Sequence, residues 1–249
     1  MRVFRAILHN IRHIVLDLVA PELCCVCRRR LVAGERHICT YCLVELPRTG
    51  YYGDSTPMSA VVVNGIARPG FTAAWFFYKH TSPFADIVRR AKFSDRPSLA
   101  RYAGILMARE LIVQEQTGLA AGSGQMPFSA VQLLLPVPMH WSRRLHRGFN
   151  QSVEIARGIA EVADIPVVDN LVALKHHPKQ SRRRADKRRK NLVDNFAVAD
   201  PHELDGKHIA IVDDVVTTGA TVAECVRAIS LSGALPASIG IIALGYVGD

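Results

Sequence analysis

With 249 residues, the chain is long enough to bury one complete α/β core and to carry a small additional module. Apolar residues make up 49% of the chain and charged residues 21%, which is ordinary for a globular protein and excludes a disordered or fibrous one. The formal net charge of +9 is unusual and favours phosphate-bearing partners wherever the positive charge is clustered.

The N-terminal segment, residues 3–19, has its apolar residues at helical spacing. They are Phe4, Ile7, Leu8, Ile11, Ile14, Val15 and Leu18. Arg5, Arg12 and Asp17 interrupt this segment, so it lacks the uninterrupted apolar stretch of a secretory signal, and no later segment predicts a membrane span. We expect a helix that packs on the rest of a cytoplasmic protein. A helix lying on a membrane surface is the alternative.

Four cysteines form two CxxC pairs that are typical of a zinc site. Cys24 and Cys27 make the first pair, and Cys39 and Cys42 make the second. Tetrahedral zinc takes four thiolates, and each CxxC turn supplies two of them. The alternative is a pair of disulfides in an exported protein, which the missing signal sequence disfavours. We therefore predict a structural zinc module over residues 1–48.

The remainder of the chain has the pattern of an α/β domain. Residues 48–59 are rich in Gly, Ser, Thr and Pro and predict a linker, and residues 60–249 predict a second domain with a core of its own. Predicted strands cover 71–78, 131–137, 208–212 and 238–244, and predicted helices cover 84–92, 98–116, 151–162 and 220–231. The strand–helix–strand order predicts a mostly parallel, twisted sheet flanked by helices.

The segment 208–221 predicts a binding site for a phosphorylated sugar. A buried strand leads into Asp213 and Asp214, followed by a loop that opens a helix, and the loop residues are Val216, Thr217, Thr218, Gly219, Ala220 and Thr221. Amides and hydroxyls at a helix N-terminus suit a phosphate, whereas two carboxylates suit ribose hydroxyls and a divalent cation such as Mg²⁺. The alternative is a solvated acidic pair that only caps the helix. Neither GxxxxGK[ST] nor GxGxxG occurs in the chain.

This segment resembles the 5-phosphoribosyl-1-pyrophosphate (PRPP) motif of type I phosphoribosyltransferases. More widely, the chain resembles the ComF family, through the segments 135–140, 143–144 and 147–151 and through Gln180, Arg188, Asn191, Phe196, Tyr78, Lys92 and Phe93. Arg183 departs from the family pattern, which usually has an apolar residue there. The resemblance implies an N-terminal zinc module, a phosphoribosyltransferase-like domain and a role in bacterial DNA uptake.

The resemblance also implies particular roles for site residues. Asp213 and Asp214 would contact the ribose hydroxyls, and the loop 216–221 would hold the 5-phosphate. The pyrophosphate would lie against basic loops that contain Pro138, Arg143, Arg144, Arg147, Gln180, Arg188 and Asn191.

The segment 175–190 contains most of the excess positive charge. Its candidate nucleic-acid contacts are Arg182, Arg183, Arg184, Lys187, Arg189 and Lys190. Three interpretations stay open: a solvated charged face, a lid over pyrophosphate, and a contact to the nucleic-acid backbone.

Together these patterns predict a PRPP-binding, ComF-like accessory protein of DNA uptake. It would contact single-stranded DNA and would have DNA-uptake proteins as further candidate partners. The alternatives are an active transferase that moves ribose 5-phosphate to an amine or a nucleobase, and a non-catalytic PRPP sensor.

Overall fold

A computed structural model describes residues 21–53, 56–62, 69–93, 97–118, 126–139, 148–174 and 195–248. The helix expected over 3–19 lies outside the described residues. Among those that are described, no helix is both long enough and apolar enough to cross a lipid bilayer.

The fold is built on one central sheet. In chain order the strands are β1 (Arg48–Gly53), β2 (Pro69–Phe77), β3 (Leu133–Pro136), β4 (Leu171–Ala173), β5 (Phe196–Val198), β6 (His208–Val216) and β7 (Ser238–Tyr246). Five of them form the sheet in the order β1-β2-β7-β6-β3, in which β1 is antiparallel to β2 and the other pairs are parallel. The predicted α/β class with a mostly parallel sheet is confirmed.

Helices cover both faces of the sheet. They are α1 (Thr40–Val44), α2 (Ser59–Val62), α3 (Ala85–Phe93), α4 (Pro97–Thr117), α5 (Gln151–Ala163) and α6 (Ala220–Leu231). Buried side chains of α3, α4 and α5 form the core on one face, and those of α6 contribute to a second core on the other face. Strand β7 is buried over almost its whole length, and β6 is buried from Ile209 to Val212, because both lie between these two layers.

Two glycines set the close packing of α4 against α5. A Cβ atom on Gly104 would lie 2.3 Å from the carbonyl oxygen of Ile155, and one on Gly158 would lie 2.0 Å from that of Arg101. The two helix backbones therefore approach closely only because these positions lack a side chain. This packing fixes α5, whose first turn reaches the end of β6.

The predicted linker over 48–59 is wrong for its first half. Arg48–Gly53 is strand β1, which pairs with β2 at the edge of the sheet. Gly50 and Gly53 both have positive φ, and the register with β2 shifts between Arg48 and Tyr51, as at a bulge. The glycines that suggested a linker therefore belong to an irregular edge strand.

The expectation of two separate cores is also wrong. Cys24, Cys25 and Ile38 of the cysteine module belong to the same continuous buried cluster as Trp75 of β2 and Leu99 of α4. The cysteine module is thus part of the main hydrophobic core on one face of the sheet.

A polar contact reinforces this junction at Glu110 of α4. Its carboxylate accepts hydrogen bonds from the Arg48 guanidinium, at 2.7 and 2.9 Å, and from the Trp75 indole N–H, at 3.0 Å. Arg48 also donates to the carbonyl of Leu43 at 2.9 Å, so it joins the end of α1 to the body of the fold.

Strands β4 and β5 form a two-stranded antiparallel ribbon, which was not predicted from the sequence. Buried Asn170, which directly precedes β4, connects the two strands at one end of the ribbon. Its side chain accepts a hydrogen bond from the Asp200 N–H and donates to the Asp200 carbonyl and to Glu203. The ribbon flanks residues 175–194, the stretch that contains the basic segment.

Candidate functional site

The acidic pair lies at the carboxyl end of β6, between neighbouring parallel strands. Pro136 of β3 is in register with Val212, and Ala243 of β7 is in register with Asp213. Ligands of open parallel sheets bind at this edge, just beyond the strand ends. The structure therefore places Asp213 and Asp214 where the sequence predicted a binding site.

Hydrogen bonds hold Asp213 in a defined orientation. Its Oδ1 accepts from the backbone N–H of Asp214 at 2.8 Å and from the hydroxyl of Ser152 at 3.3 Å. Ser152 comes from the first turn of α5, where Asn150 caps the helix and donates to the Val137 carbonyl at 2.9 Å. The two donors to Asp213 thus come from β6 itself and from the first turn of α5.

Lys92 supplies a positive charge next to the pair. Its Nζ lies 2.7 Å from Oδ2 of Asp214, and both side chains are largely buried, with exposed fractions of 26% and 15%. Lys92 lies in the last turn of α3, 122 positions before its partner in the sequence. Like Ser152, it was not among the predicted site residues.

The electrostatics of the pair favour one proton near neutral pH. Burial, together with the neighbouring Asp214 carboxylate, raises the pKa of Asp213 to about 7, although Lys92 and Ser152 act to lower it. A nearby cation would favour the ionised form, so the site is suited to bind one.

The predicted phosphate loop connects β6 to α6. Thr217 and Thr218 are exposed, while Gly219 is buried and has φ +74°, a conformation that favours glycine. Helix α6 begins at Ala220, whose N–H donates to the Thr218 hydroxyl at 3.4 Å. Its first amides have no acceptor within the helix and lie next to the exposed threonine hydroxyls, an arrangement that suits an anion.

The residues predicted to surround the pyrophosphate or to contact nucleic acid divide into two groups. Pro138 follows β3 near the acidic pair and is partly exposed. The remaining ones lie outside the described residues, namely Arg143, Arg144, Arg147, Gln180, Arg188 and Asn191, together with the nucleic-acid candidates Arg182, Arg183, Arg184, Lys187, Arg189 and Lys190.

The second site is the four-cysteine cluster. The Sγ atoms of Cys24, Cys27, Cys39 and Cys42 all lie within 4.8 Å of one another, and none of these cysteines is in a disulfide. The Cys27 and Cys39 sulfurs are 3.7 Å apart. Four thiolates at about 2.3 Å from one zinc ion would be about 3.8 Å apart, so the cluster has the size that tetrahedral zinc requires.

Local structure acts in opposite directions on two cysteines of the cluster, because burial raises the pKa of the Cys42 thiol whereas the pKa of the Cys39 thiol is lowered. Cys39 precedes α1, and its sulfur accepts from the Cys42 N–H at 3.5 Å, while its own N–H donates to the Cys24 sulfur at 3.3 Å. Burial acts to raise the pKa of the Cys39 thiol, but hydrogen bonds from the Cys42 N–H and from Arg29 outweigh it and lower the pKa to about 7. Cys25 is buried but is not part of the cluster.

The fold and these two sites define a mostly parallel α/β protein with an N-terminal four-cysteine cluster and an acidic pair at the carboxyl edge of its sheet. No family model matches the chain. Curated relatives match most of it. DNA utilization protein YhgH of Salmonella typhimurium is 31% identical over 234 residues, which cover 87% of this chain and 94% of the relative. Competence protein F of Haemophilus influenzae is 26% identical over 208 residues, covering 81% and 87%.

The chain therefore belongs to the ComF family, which includes both of these proteins, and the predicted family is confirmed. Among solved structures, the glutamine PRPP amidotransferase from B. subtilis is similar over 57% of this chain and 25% of its own, with a TM-score of 0.36 and 16% identity. An alanine mutant from an analysis of an invariant aspartic acid in HPRTs is similar over 59% of this chain and 67% of its own, with a TM-score of 0.35 and 16% identity.

Proposed function

We propose that this protein binds PRPP and acts as a ComF-like accessory factor in DNA uptake. The observation that carries the first part is the acidic pair Asp213–Asp214 at the end of β6, next to the Thr- and Gly-containing loop that leads into the N-terminus of α6. Names of relatives support the second part, since they refer to competence and to DNA utilization.

The chemistry of the site fits a ribose that carries a 5-phosphate. The carboxylates of Asp213 and Asp214 would accept hydrogen bonds from the ribose hydroxyls. The hydroxyls of Thr217 and Thr218 and the first amides of α6 would donate to the 5-phosphate. Mg²⁺ would neutralise part of the negative charge that the carboxylates and the ligand bring together.

We also propose that the four-cysteine cluster holds one structural zinc ion. Four thiolates leave no open coordination position, so the metal would stabilise the fold and not take part in a reaction. Metal analysis of protein purified under reducing conditions should give about one zinc per chain, and protein without zinc would contradict this assignment.

The proposed PRPP site can be tested by measuring PRPP affinity by calorimetry in a variant that has asparagine at both acidic positions. The variant Asp213→Asn with Asp214→Asn keeps the size of both side chains but removes both charges, and we expect PRPP affinity with Mg²⁺ to fall at least tenfold. The control is Asp205→Asn, because Asp205 is an acid at the opposite, amino end of β6 whose carboxylate accepts from the Leu235 N–H. Equal binding by the Asn pair and the wild-type protein would contradict the assignment.

The basic segment 175–190 is the proposed contact to single-stranded DNA. Replacing Arg182, Arg183 and Arg184 by alanine should reduce the slope of log affinity against log salt by about two, since each phosphate neutralised on a single strand contributes roughly 0.7. A lid that serves only pyrophosphate predicts the opposite result, in which PRPP affinity falls and DNA affinity stays the same.

An assay of pyrophosphate release separates a binding protein from an active transferase. A PRPP-binding accessory factor or sensor would release no pyrophosphate above the background rate, with or without amine or nucleobase acceptors. Turnover that one acceptor class stimulates would instead identify the protein as an enzyme.

A further inference from the structure

The ion pair between Lys92 and Asp214 places a cation at the position where the acidic pair would meet its ligand. Asp214 comes from the carboxyl end of β6, whereas Lys92 lies in the last turn of α3, whose buried residues belong to the core on one face of the sheet. Their separation of 2.7 Å makes this a direct, charge-assisted hydrogen bond. Among the residues that the structure describes, neither Asp213 nor Asp214 forms another ion pair.

The pair also determines which carboxylate oxygens are occupied. Oδ1 of Asp213 already accepts two hydrogen bonds, from the Asp214 amide and from Ser152. Oδ2 of Asp214 is occupied by Lys92. A divalent cation that binds this oxygen has to displace the ammonium group, so Lys92 and the cation that accompanies the ligand compete for Asp214.

A phosphate group of the ligand would be a new partner for the displaced lysine. With both acids ionised, the two carboxylates and Lys92 sum to about −1, which opposes the approach of a phosphorylated ligand. Lys92 has a flexible four-carbon stem and is partly exposed, so its ammonium group can move by several ångströms without unfolding the helix.

We infer that Lys92 is a ligand-exchanged counter-ion: it neutralises Asp214 in the free protein and transfers to the phosphate oxygens of PRPP when the ribose occupies the acidic pair. This inference rests on the proposed function and assigns a role to a residue outside the predicted motif. Since Lys92 opposes divalent cations at Asp214 but attracts phosphate, removing its charge should change the two affinities in opposite directions.

The experiment compares Lys92→Met with Lys207→Met in zinc-loaded protein. Lys207 is the matched control because it is exposed and lies just before the opposite end of the same strand β6. Mn²⁺ serves as the probe of the acidic pair, measured by electron paramagnetic resonance, and PRPP binding is then measured by calorimetry at saturating Mn²⁺.

For Lys92→Met we expect Mn²⁺ to bind about tenfold more tightly in the absence of PRPP, because it no longer competes with an ammonium group. PRPP should bind at least tenfold more weakly, because its phosphate oxygens lose a cation. Lys92→Arg should keep both affinities closer to those of the wild-type protein, and Lys207→Met should change neither by more than twofold. A variant that was merely misfolded would lose both ligands together.

Two results would overturn the inference alone. One is that both affinities of Lys92→Met change in the same direction, and the other is that both stay within twofold of wild type while the wild-type protein binds PRPP. If the wild-type protein binds Mn²⁺ but not PRPP, the proposed function and this inference both fail.

Discussion

Replacing Asp213 by asparagine should make the stability of the protein less dependent on pH. Burial and the Asp214 carboxylate raise the pKa of Asp213 from 3.8 to about 7 in the folded protein. Between these two values the folded state holds a proton that the unfolded state has lost, so the stability of the wild-type protein falls as the pH rises from about 4 to about 7. Asparagine does not titrate, so the stability of the variant does not fall in this way as the pH rises.

The magnitude follows from the size of the shift. A change of about 3 pKa units, at roughly 1.4 kcal/mol per unit, corresponds to at most about 4 kcal/mol. Solvent still reaches part of the Asp213 side chain, and only the portion of the shift above pH 5 is sampled in a range from pH 5 to 8. Over that range we expect the stability of the variant to rise by about 2 kcal/mol relative to the wild-type protein.

Asparagine is suited to this test because it preserves the local hydrogen bonds. The Asp214 N–H and the Ser152 hydroxyl both donate to Oδ1 of Asp213, and the amide oxygen of asparagine accepts from both. The measurement is urea denaturation at pH 5, 6, 7 and 8, with zinc present and Mg²⁺ absent. Histidines titrate in both proteins, so their effects cancel in the difference.

The control substitution is Asp205→Asn. A hydrogen bond from the Leu235 N–H, with a smaller contribution from His202, holds the pKa of Asp205 below its usual value, so this group is ionised in the folded and unfolded states throughout the range. The substitution also removes an exposed contact to His202, which contributes little, so its effect on stability should vary from pH 5 to 8 by much less than the effect expected for Asp213→Asn. Our account of the acidic pair is refuted if the Asp213→Asn difference is as constant as that of the control.

Three further predictions concern the packing around the site. Chelating the metal should unfold the whole described core in one transition, observed by circular dichroism, because the cysteines share that core; a separate low-temperature transition would contradict this. Glu110→Gln should lower the free energy of unfolding by about 1–3 kcal/mol in urea titrations, since the charge that Arg48 and Trp75 share is lost; an effect below about 0.5 kcal/mol would show that the junction is a weak surface pair. Gly158→Ala should cost about 2–4 kcal/mol, because the new Cβ meets the Arg101 carbonyl oxygen, and should also weaken PRPP binding by displacing α5; unchanged stability would refute the close packing.

Much of the fold was predictable because its central strands are buried on both faces. The sequence predicts a strand over 208–212 and a helix over 220–231, and the structure has β6 at His208–Val216 and α6 at Ala220–Leu231. A continuous apolar run identifies such a strand, and Gly233, with φ +82°, follows the end of the helix. The strand extends further than predicted because the acids themselves continue the pairing with β7.

Other features were not predictable because they depend on contacts between distant segments. Strand β1 has glycines and polar residues because it lies at the irregular edge of the sheet, so its local pattern is that of a linker. The pairing of Lys92 with Asp214 joins positions 122 residues apart, and no local motif contains both. Ser152 was hidden for the same reason, since only the packing of α5 brings its hydroxyl to Asp213.

The shared core gives the cysteine cluster a physical connection to the acidic pair through α3. Ala85, Ile87 and Val88 are buried in the same cluster as the cysteines, and the last turn of the helix supplies Lys92 to Asp214. A helix of nine residues is marginal on its own and depends on the surfaces against which it packs. Metal bound by the cysteines would stabilise one of those surfaces, because the free energy of binding a structural metal contributes to folding. The position of Lys92, and with it the charge balance at the acidic pair, would therefore depend on a module that lies outside the segment 208–221.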